Sequence, residues 1–558
     1  MASEVDLLVE GTLVNVLTGT LEDRAIAIDD GEIVALADRP ARTTMEAEYI
    51  TPGLINAHMH VESTMVTLPQ YARAVVPRGV TGVVADPHEI GNVLGEDGVR
   101  ALLKDATRTP LKARFTVPSS VPASGLQDAG ATIGPETVDR LLDAPGVVGL
   151  AEVMEIGALV AGEESVHAKI EAARERGLTV DGHLSGITGD DLQEAARYLD
   201  TEHESRELTD AREKVDAGLH IQLREGSSSK NLDALLPLID AVDSRRLSVC
   251  TDNFYIYDLV DHGGIDAIVQ RLLADGVDPV EAIQLATINP AEQYDLPFGR
   301  IKPGAPADLV LLDELESWTV DHVIIDGEID PTAGVTDSPD IALAGDTVHF
   351  EPVTAPDMAH SAAHDGDHTV RVIDHTGGIT REMTATVTAE DGRLMPNYGL
   401  DILPAAVIER HGKGAGIGTG FVHGFDMERG AIASTVAHDA HNLVVVGADH
   451  EAMAHLANHV RELGGGIAAY DPAAGETTAE TIAALELPVA GLMANDPVET
   501  VNECFETVQA AVRELGVPLD GGIMELDNLS LEVIPELRLT NNGLVDVREM
   551  EYVDVVIG

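Results

Sequence analysis

The chain has 558 residues, 44% of them hydrophobic, with a mean hydropathy of +0.04; that is long enough for roughly two to four domains, each with its own core. Its 96 acidic and 35 basic residues give a net charge of −61, spread along the chain. Such a surface repels nucleic acid and anionic membranes, and no run approaches the ~20 apolar residues that span a bilayer.

Because apolar patterning persists throughout, the charge points away from a disordered acidic chain. It points to a protein kept soluble in concentrated salt, where self-repulsion is screened, and so to a halophilic, archaeal source. Cys250 and Cys504 are too few for a disulfide scaffold or a cysteine zinc site, and the start, MASEVDLLVEG, lacks the basic and apolar regions of a secretion signal. A reducing cytoplasm is the expected compartment.

From Val5 to about Ile50 the pattern predicts short strands, with Asp30-Gly31 as a hairpin turn. A matching piece recurs at Gly304–Gly327, so residues 1–50 and 300–336 are expected to pair into one small β-domain. Between them, over 51–299, eight apolar runs alternate with helical patterns: GLINAH, GVTGVVAD, KARFTVP, GVVGLAE, GLTVDGH, YLDTEH, GLHIQL and LSVCTD. That rhythm predicts a TIM-like (β/α)8 barrel, with helices such as Leu68–Val76, Val99–Ala106, Ala168–Arg176 and Ile265–Leu273. Residues 337–367 read as a connector and 368–558 as a C-terminal α/β or α+β domain.

Ligand-type residues sit at the C-terminal ends of the runs. The first ends in His58 and His60, which share a face because strand side chains alternate. The second ends in Asp86, His88 and Glu89, the fourth in Glu152, the fifth in His183, the sixth in His203 and the eighth in Asp252. In a barrel these ends converge on one mouth. Four neutral imidazoles with Glu152 and Asp252 suit one or two borderline divalent ions such as Mn, Fe or Zn, and not Ca or Mg, which prefer oxygen shells. The chemistry predicted is metal-assisted hydrolysis at a C–N bond or at an amidine-like carbon, with Asp252 moving the proton.

Other residues admit two readings. Asp86, His88 and Glu89 suit contact with a substrate or orientation of the ligands, but Asp86 before Pro87 also suits a helix cap. Glu225 suits either an acceptor for substrate N–H groups or a structural turn. His438, Asp439 and His441 in VAHDAHN suit a metal or a nearby site, but more simply a self-satisfied loop. GKGAGIGTG (Gly412–Gly420) lacks the GK[ST] of a phosphate loop, and its glycines are expected to serve tight backbone turns.

The order HxH, acid, His, His, Asp resembles the amidohydrolase superfamily. PGLINAHMHVESTM, VVADPHEIGNVLG, LREGSSSKNL, GRIKPGAPADLVLLDEL and RGAIASTVAHDAHNLVVVG are similar to blocks of its adenine deaminase family, and the resemblance spans nearly the whole chain. It implies hydrolysis of adenine to hypoxanthine and ammonia at a binuclear Mn2+ or Fe2+ centre, and a dimer formed through the C-terminal domain. It implies that His58, His60 and Asp252 hold one ion, that His183 and His203 hold the second, and that Glu152 bridges them. The fourth run has no lysine for a carboxylated bridge. Two departures stand out. GHLSGITGDD follows the fifth run, where GHAPGLSG is expected, and Asn253 stands where the family has a second acid. Asn253 hydrogen-bonds but exchanges no proton near neutral pH, and it is a candidate substrate contact. Alternatives are another amidohydrolase acting on a cyclic amide or related nucleobase, and a non-catalytic relative. The absence of PCxxC argues against the cytidine-deaminase fold.

Overall fold

The structure, a computed structural model, describes residues 4–331, 345–376, 380–414, 416–472 and 482–557. Near the N-terminus, strands β1 (Val5–Asn15), β2 (Thr20–Asp29), β3 (Glu32–Ala35) and β4 (Ala41–Pro52) form one sheet. The barrel comes next as β5 (Leu54–Met59), β6 (Val80–Ala85), β7 (Lys112–Val117), β8 (Val147–Val153), β9 (Thr179–Gly182), β10 (Thr201–Glu202), β11 (His220–Arg224) and β12 (Leu247–Cys250).

All eight apolar runs thus become strands, paired in parallel in sequence order. They read as unbroken apolar stretches because helices cover one face and the barrel interior occupies the other. β5 and β6 are buried at every position. The ring closes where β12 runs out. Asp252 N–H donates to the His58 carbonyl at 3.0 Å. Asn56 clasps Thr251 twice, giving to its hydroxyl at 2.7 Å and accepting from its N–H at 3.1 Å. Within the barrel, Asp181 accepts from Thr201 at 2.7 Å and from Tyr294 at 2.8 Å, while Gln222 donates to the Tyr294 oxygen at 2.9 Å. The anticipated helices are present as Leu68–Val75, Glu96–Asp105, Glu164–Glu175 and Ile265–Ala274.

After the barrel, β13 (Leu309–Glu314), β14 (Thr319–Ile325) and β15 (Glu328–Ile329) add to β4, giving a seven-stranded sheet in the order β15-β14-β13-β4-β1-β2-β3. Part of the anticipated connector, 337–344, lies outside the described residues. The remainder packs against the C-terminal region: Val353 and Met358 bury beside Leu456 and Val460, and Arg410 donates to the Thr347 carbonyl at 3.0 Å.

That third region is built on a nine-stranded sheet in the order β18-β17-β16-β20-β19-β22-β21-β23-β24. Its strands are β16 (Gly366–Asp374), β17 (Arg381–Glu390), β18 (Arg393–Leu394), β19 (Leu403–Ile408), β20 (Ile417–His423), β21 (Ala431–Ser434), β22 (Leu443–Gly447), β23 (Gly466–Tyr470) and β24 (Ile482–Glu486). Gly418 lies against the Thr540 carbonyl, where a Cβ would stand 1.8 Å from that oxygen; close backbone approach is what the glycine permits.

The third region docks on the barrel mouth. Ala494 N–H donates to the Met65 carbonyl at 2.8 Å. Glu532 accepts from Ser124 at 2.8 Å and from Gln127 at 3.0 Å, and Asn442 donates to the Asp128 carbonyl at 2.9 Å.

Candidate metal centre

At the mouth of the barrel, Glu152 is the hub. Its Oε2 accepts from His183 Nδ1 at 2.7 Å and lies 3.2 Å from His203 Nε2. Its Oε1 lies 3.6 Å from His60 Nε2 and 3.5 Å from His88 Nδ1. Asp252 Oδ1 lies 2.9 Å from His60 Nε2 and 3.7 Å from His58 Nε2. The backbone of Asp252 is left-handed, at φ 57°, a turn that aims its carboxylate back at the first strand. Residues separated by almost 200 positions in the chain therefore meet because the first and last barrel strands are neighbours.

The electrostatics are those of a cation site. Burial works against charge on Glu152, yet the His183 and His203 imidazoles hold its carboxyl well below the usual range. Asp252 is likewise held well below its ordinary value against burial, by the Arg224 guanidinium and by His58 and His60. Burial lowers the affinity of His60 for a proton, but Asp252 and Glu152 raise it well above the ordinary imidazole range. His183 rises to about 9, against burial, through the Glu204 charge and its bond to Glu152. His203 is raised against burial by Glu152, while burial and His203 lower His58. His58 Nε2 and both ring nitrogens of His203 are buried with no hydrogen-bond partner. Orphaned imidazole nitrogens around ionised carboxylates fit borderline divalent ions.

The structure adds two residues that the sequence pattern did not single out. Arg224, at the end of β11, donates to Asp252 Oδ2 at 2.5 Å and also to Glu204. Arg224 ends an apolar run, as the histidines do, but its charge matches no cation ligand, so the strand-end signal passed over it. Glu204 directly follows His203 and had the same strand-end position to mark it.

The candidate substrate residues separate. His88, Asn253 and Asp439 line a cavity of about 180 Å³ above the centre, together with Leu531, Ile534 and Arg538 of the third region. Asp86 sits behind His88: its Oδ2 takes the His88 Nδ1 contact at 3.0 Å and its Oδ1 accepts the His88 N–H at 3.0 Å. It therefore both takes the first backbone N–H of the helix His88–Leu94 and fixes the ring, and His88 is raised to about 10, against burial, by the Asp86 charge.

Two assignments are corrected. Glu225 does not line the cavity; it turns toward Lys230, because it follows the inward-facing Arg224 by one residue and strand parity sends it the other way. Glu89 does not line it either. It is buried next to Ser63, whose Oγ lies 2.8 Å from Glu89 Oε1 and 2.5 Å from Asn253 Oδ1. The loop reading of His438, Asp439 and His441 also fails. His438 Nε2, Asp439 Oδ2 and both ring nitrogens of His441 are buried without partners, and Asp439 Oδ1 lies 3.9 Å from His88 Nε2. Sequence spacing gave no sign that β21 would deliver this segment to the barrel mouth.

Among known proteins, the Amidohydrolase family profile matches residues 49–329 and the Adenine deaminase C-terminal domain profile matches 378–551. A protein of Desulfatibacillum aliphaticivorans named adenine deaminase is 39% identical over 551 residues, covering 97% of this chain and 95% of its own. Proteins of the same name from Moorella thermoacetica and Salinibacter ruber are each 38% identical. The first alignment covers 98% of this chain and 95% of the relative, the second 98% of both.

Proposed function

The chain belongs to the adenine deaminase family of amidohydrolases, and on that premise we propose that it hydrolyses free adenine to hypoxanthine and ammonia. It is a hydrolase of C–N bonds in cyclic amidines. The observation that carries the reading is the single constellation of His58, His60, Glu152, His183, His203 and Asp252 beneath a cavity at the barrel mouth. His58, His60 and Asp252 would hold one ion, His183 and His203 the other, with Glu152 between them; Mn2+ or Fe2+ fits this mixed nitrogen and oxygen set. Such ions, when bound, supply Lewis acidity that makes hydroxide available near neutral pH.

The chain's own groups do the rest. Arg224 keeps the Asp252 carboxyl ionised, so Asp252 accepts a proton from the attacking water and releases it toward the departing amine. Leu531 and Ile534 close the cavity from above and restrict bulk water at the reacting carbon. Asn253 and His88 offer hydrogen bonds to the purine edge, and Asp86 holds the His88 ring for that contact. The halophilic, archaeal origin rests on the charge of −61, and the cytoplasmic setting on having only two cysteines, Cys250 and Cys504. Among the described residues no helix is long and apolar enough to cross a membrane. A dimer is proposed by resemblance alone.

The test monitors adenine absorbance in molar KCl with added Mn2+, with ammonia measured in parallel. Hypoxanthine is the expected product, and His183→Asn and Asp252→Asn should each lower the rate at least ~100-fold. Ring opening of dihydropyrimidines in place of adenine turnover would overturn the substrate, and undiminished rates in both variants would overturn the ligand assignment.

A further inference from the structure

A second cluster lies beside the centre, where the helix His88–Leu94 meets the third region. It consists of Glu89 from that helix and of His438 and His441 from the segment between β21 and β22. One ligand-type atom from each lies within 4.8 Å of the others. All three side chains are buried, with relative exposures of 0%, 4% and 0%. Glu89 Oε1 stands 3.8 Å from His438 Nδ1, and the two imidazole centroids are 5.5 Å apart.

Further ligand-type atoms of these side chains are without partners. Glu89 Oε2, His438 Nε2 and both ring nitrogens of His441 have no hydrogen bond, and neither has Oε2 of the adjoining, fully buried Glu62. Buried polar groups are almost always paired, so five such atoms on four buried side chains call for an occupant. A water satisfies only two to four of them, and burial together with the nearby Glu62 charge pushes the Glu89 carboxyl up to about 8, a shift that a cation beside it would reverse. Burial, followed by the neighbouring imidazoles, lowers His438 to about 3 and His441 well below its ordinary value, which leaves both rings neutral and free to ligate.

We infer that Glu89, His438 and His441 bind a third divalent cation, which pins the third region onto the mouth of the barrel. Two neutral imidazoles and one carboxylate are a donor set for Zn2+, Fe2+ or Mn2+, and a poor one for Mg2+ or Ca2+. The role is structural. Neither Glu89 nor His441 lines the cavity, whereas His438 and the adjoining Asp439 do. The cation would therefore hold that wall in place. It would also account for His438 and His441, to which the proposed reaction gives no role.

The test uses the full-length chain, stripped of metal with chelator and reloaded with Mn2+. Equilibrium dialysis and plasma mass spectrometry are expected to give about three Mn2+ per parent chain and about two for His441→Gln and for Glu89→Gln. Crystals of the parent soaked in Mn2+ should show an anomalous peak between Glu89, His438 and His441. Circular dichroism checks that the variants fold, and the crystal measurement needs no variant. Two Mn2+ in parent and variants alike, or solvent-level density without anomalous signal at Glu89, would overturn this site and leave the deaminase reading intact. Loss of deamination with three Mn2+ still bound would do the reverse.

Discussion

Loading metal into the stripped chain should expel protons. In the metal-free centre, Glu152 and Asp252 carry two negative charges, and the protons that balance them sit on His183, 2.7 Å from Glu152, and on His60, 2.9 Å from Asp252. His183 is raised to about 9 and His60 well above its ordinary value, so both are protonated at neutral pH. A cation needs the bare nitrogen, so occupying the centre should release about two protons per chain, and affinity for the pair should rise ~100-fold per pH unit between about 6.5 and 9. Titration calorimetry at pH 7.5 in buffers of differing ionisation enthalpy counts those protons. The same groups set the stability of the metal-free chain. An imidazole with a raised folded pKa stabilises fully below its unfolded value of 6.5, and that contribution fades as pH climbs through the folded one. For His183, the rise from 6.5 to about 9 is worth about 3 kcal/mol. His183→Asn should release one proton fewer and flatten the unfolding free energy over that window. Heats that do not depend on the buffer would refute the charge-balance reasoning.

Arg224→Met should destabilise the metal-free chain by ~3–5 kcal/mol, because it strands the Asp252 and Glu204 carboxylates in a buried site; urea unfolding with chelator measures this, and a loss below ~1 kcal/mol would contradict the pairing. Arg538→Ala should act on the roof of the cavity. Arg538 donates to the Leu531 and Ile534 carbonyls at 3.1 and 2.9 Å, so its loss should raise KM for adenine roughly 10-fold and change kcat less, as steady-state kinetics would reveal. The unfolding temperature should climb between about 0.1 and 1 M KCl, as the Debye length falls from ~10 to ~3 Å and repulsion among 96 acids is screened; a flat scanning-calorimetry profile would disprove this.

Much of this molecule was legible in one dimension. A parallel barrel buries both faces of each strand, so its strands are written as apolar runs, and all eight were found by that signal. Strand ends carry the chemistry of such a barrel, so His58, His60, Glu152, His183, His203 and Asp252 were marked by position alone. Even the turn that aims Asp252 lies just past an apolar run. What the sequence left open depends on neighbours that are distant in the chain. Glu225 and Arg224 are adjacent in sequence, and only strand parity in three dimensions decides that the arginine faces the centre. The His438–His441 segment carries a ligand-like spacing, but its meaning depends on which surface β21 presents it to. The docking that brings His438 within 3.8 Å of Glu89 rests on contacts such as Ala494 with Met65 and Asn442 with Asp128. Local periodicity records which face of an element is buried, and it holds no record of what buries it; only the assembled tertiary structure supplies that.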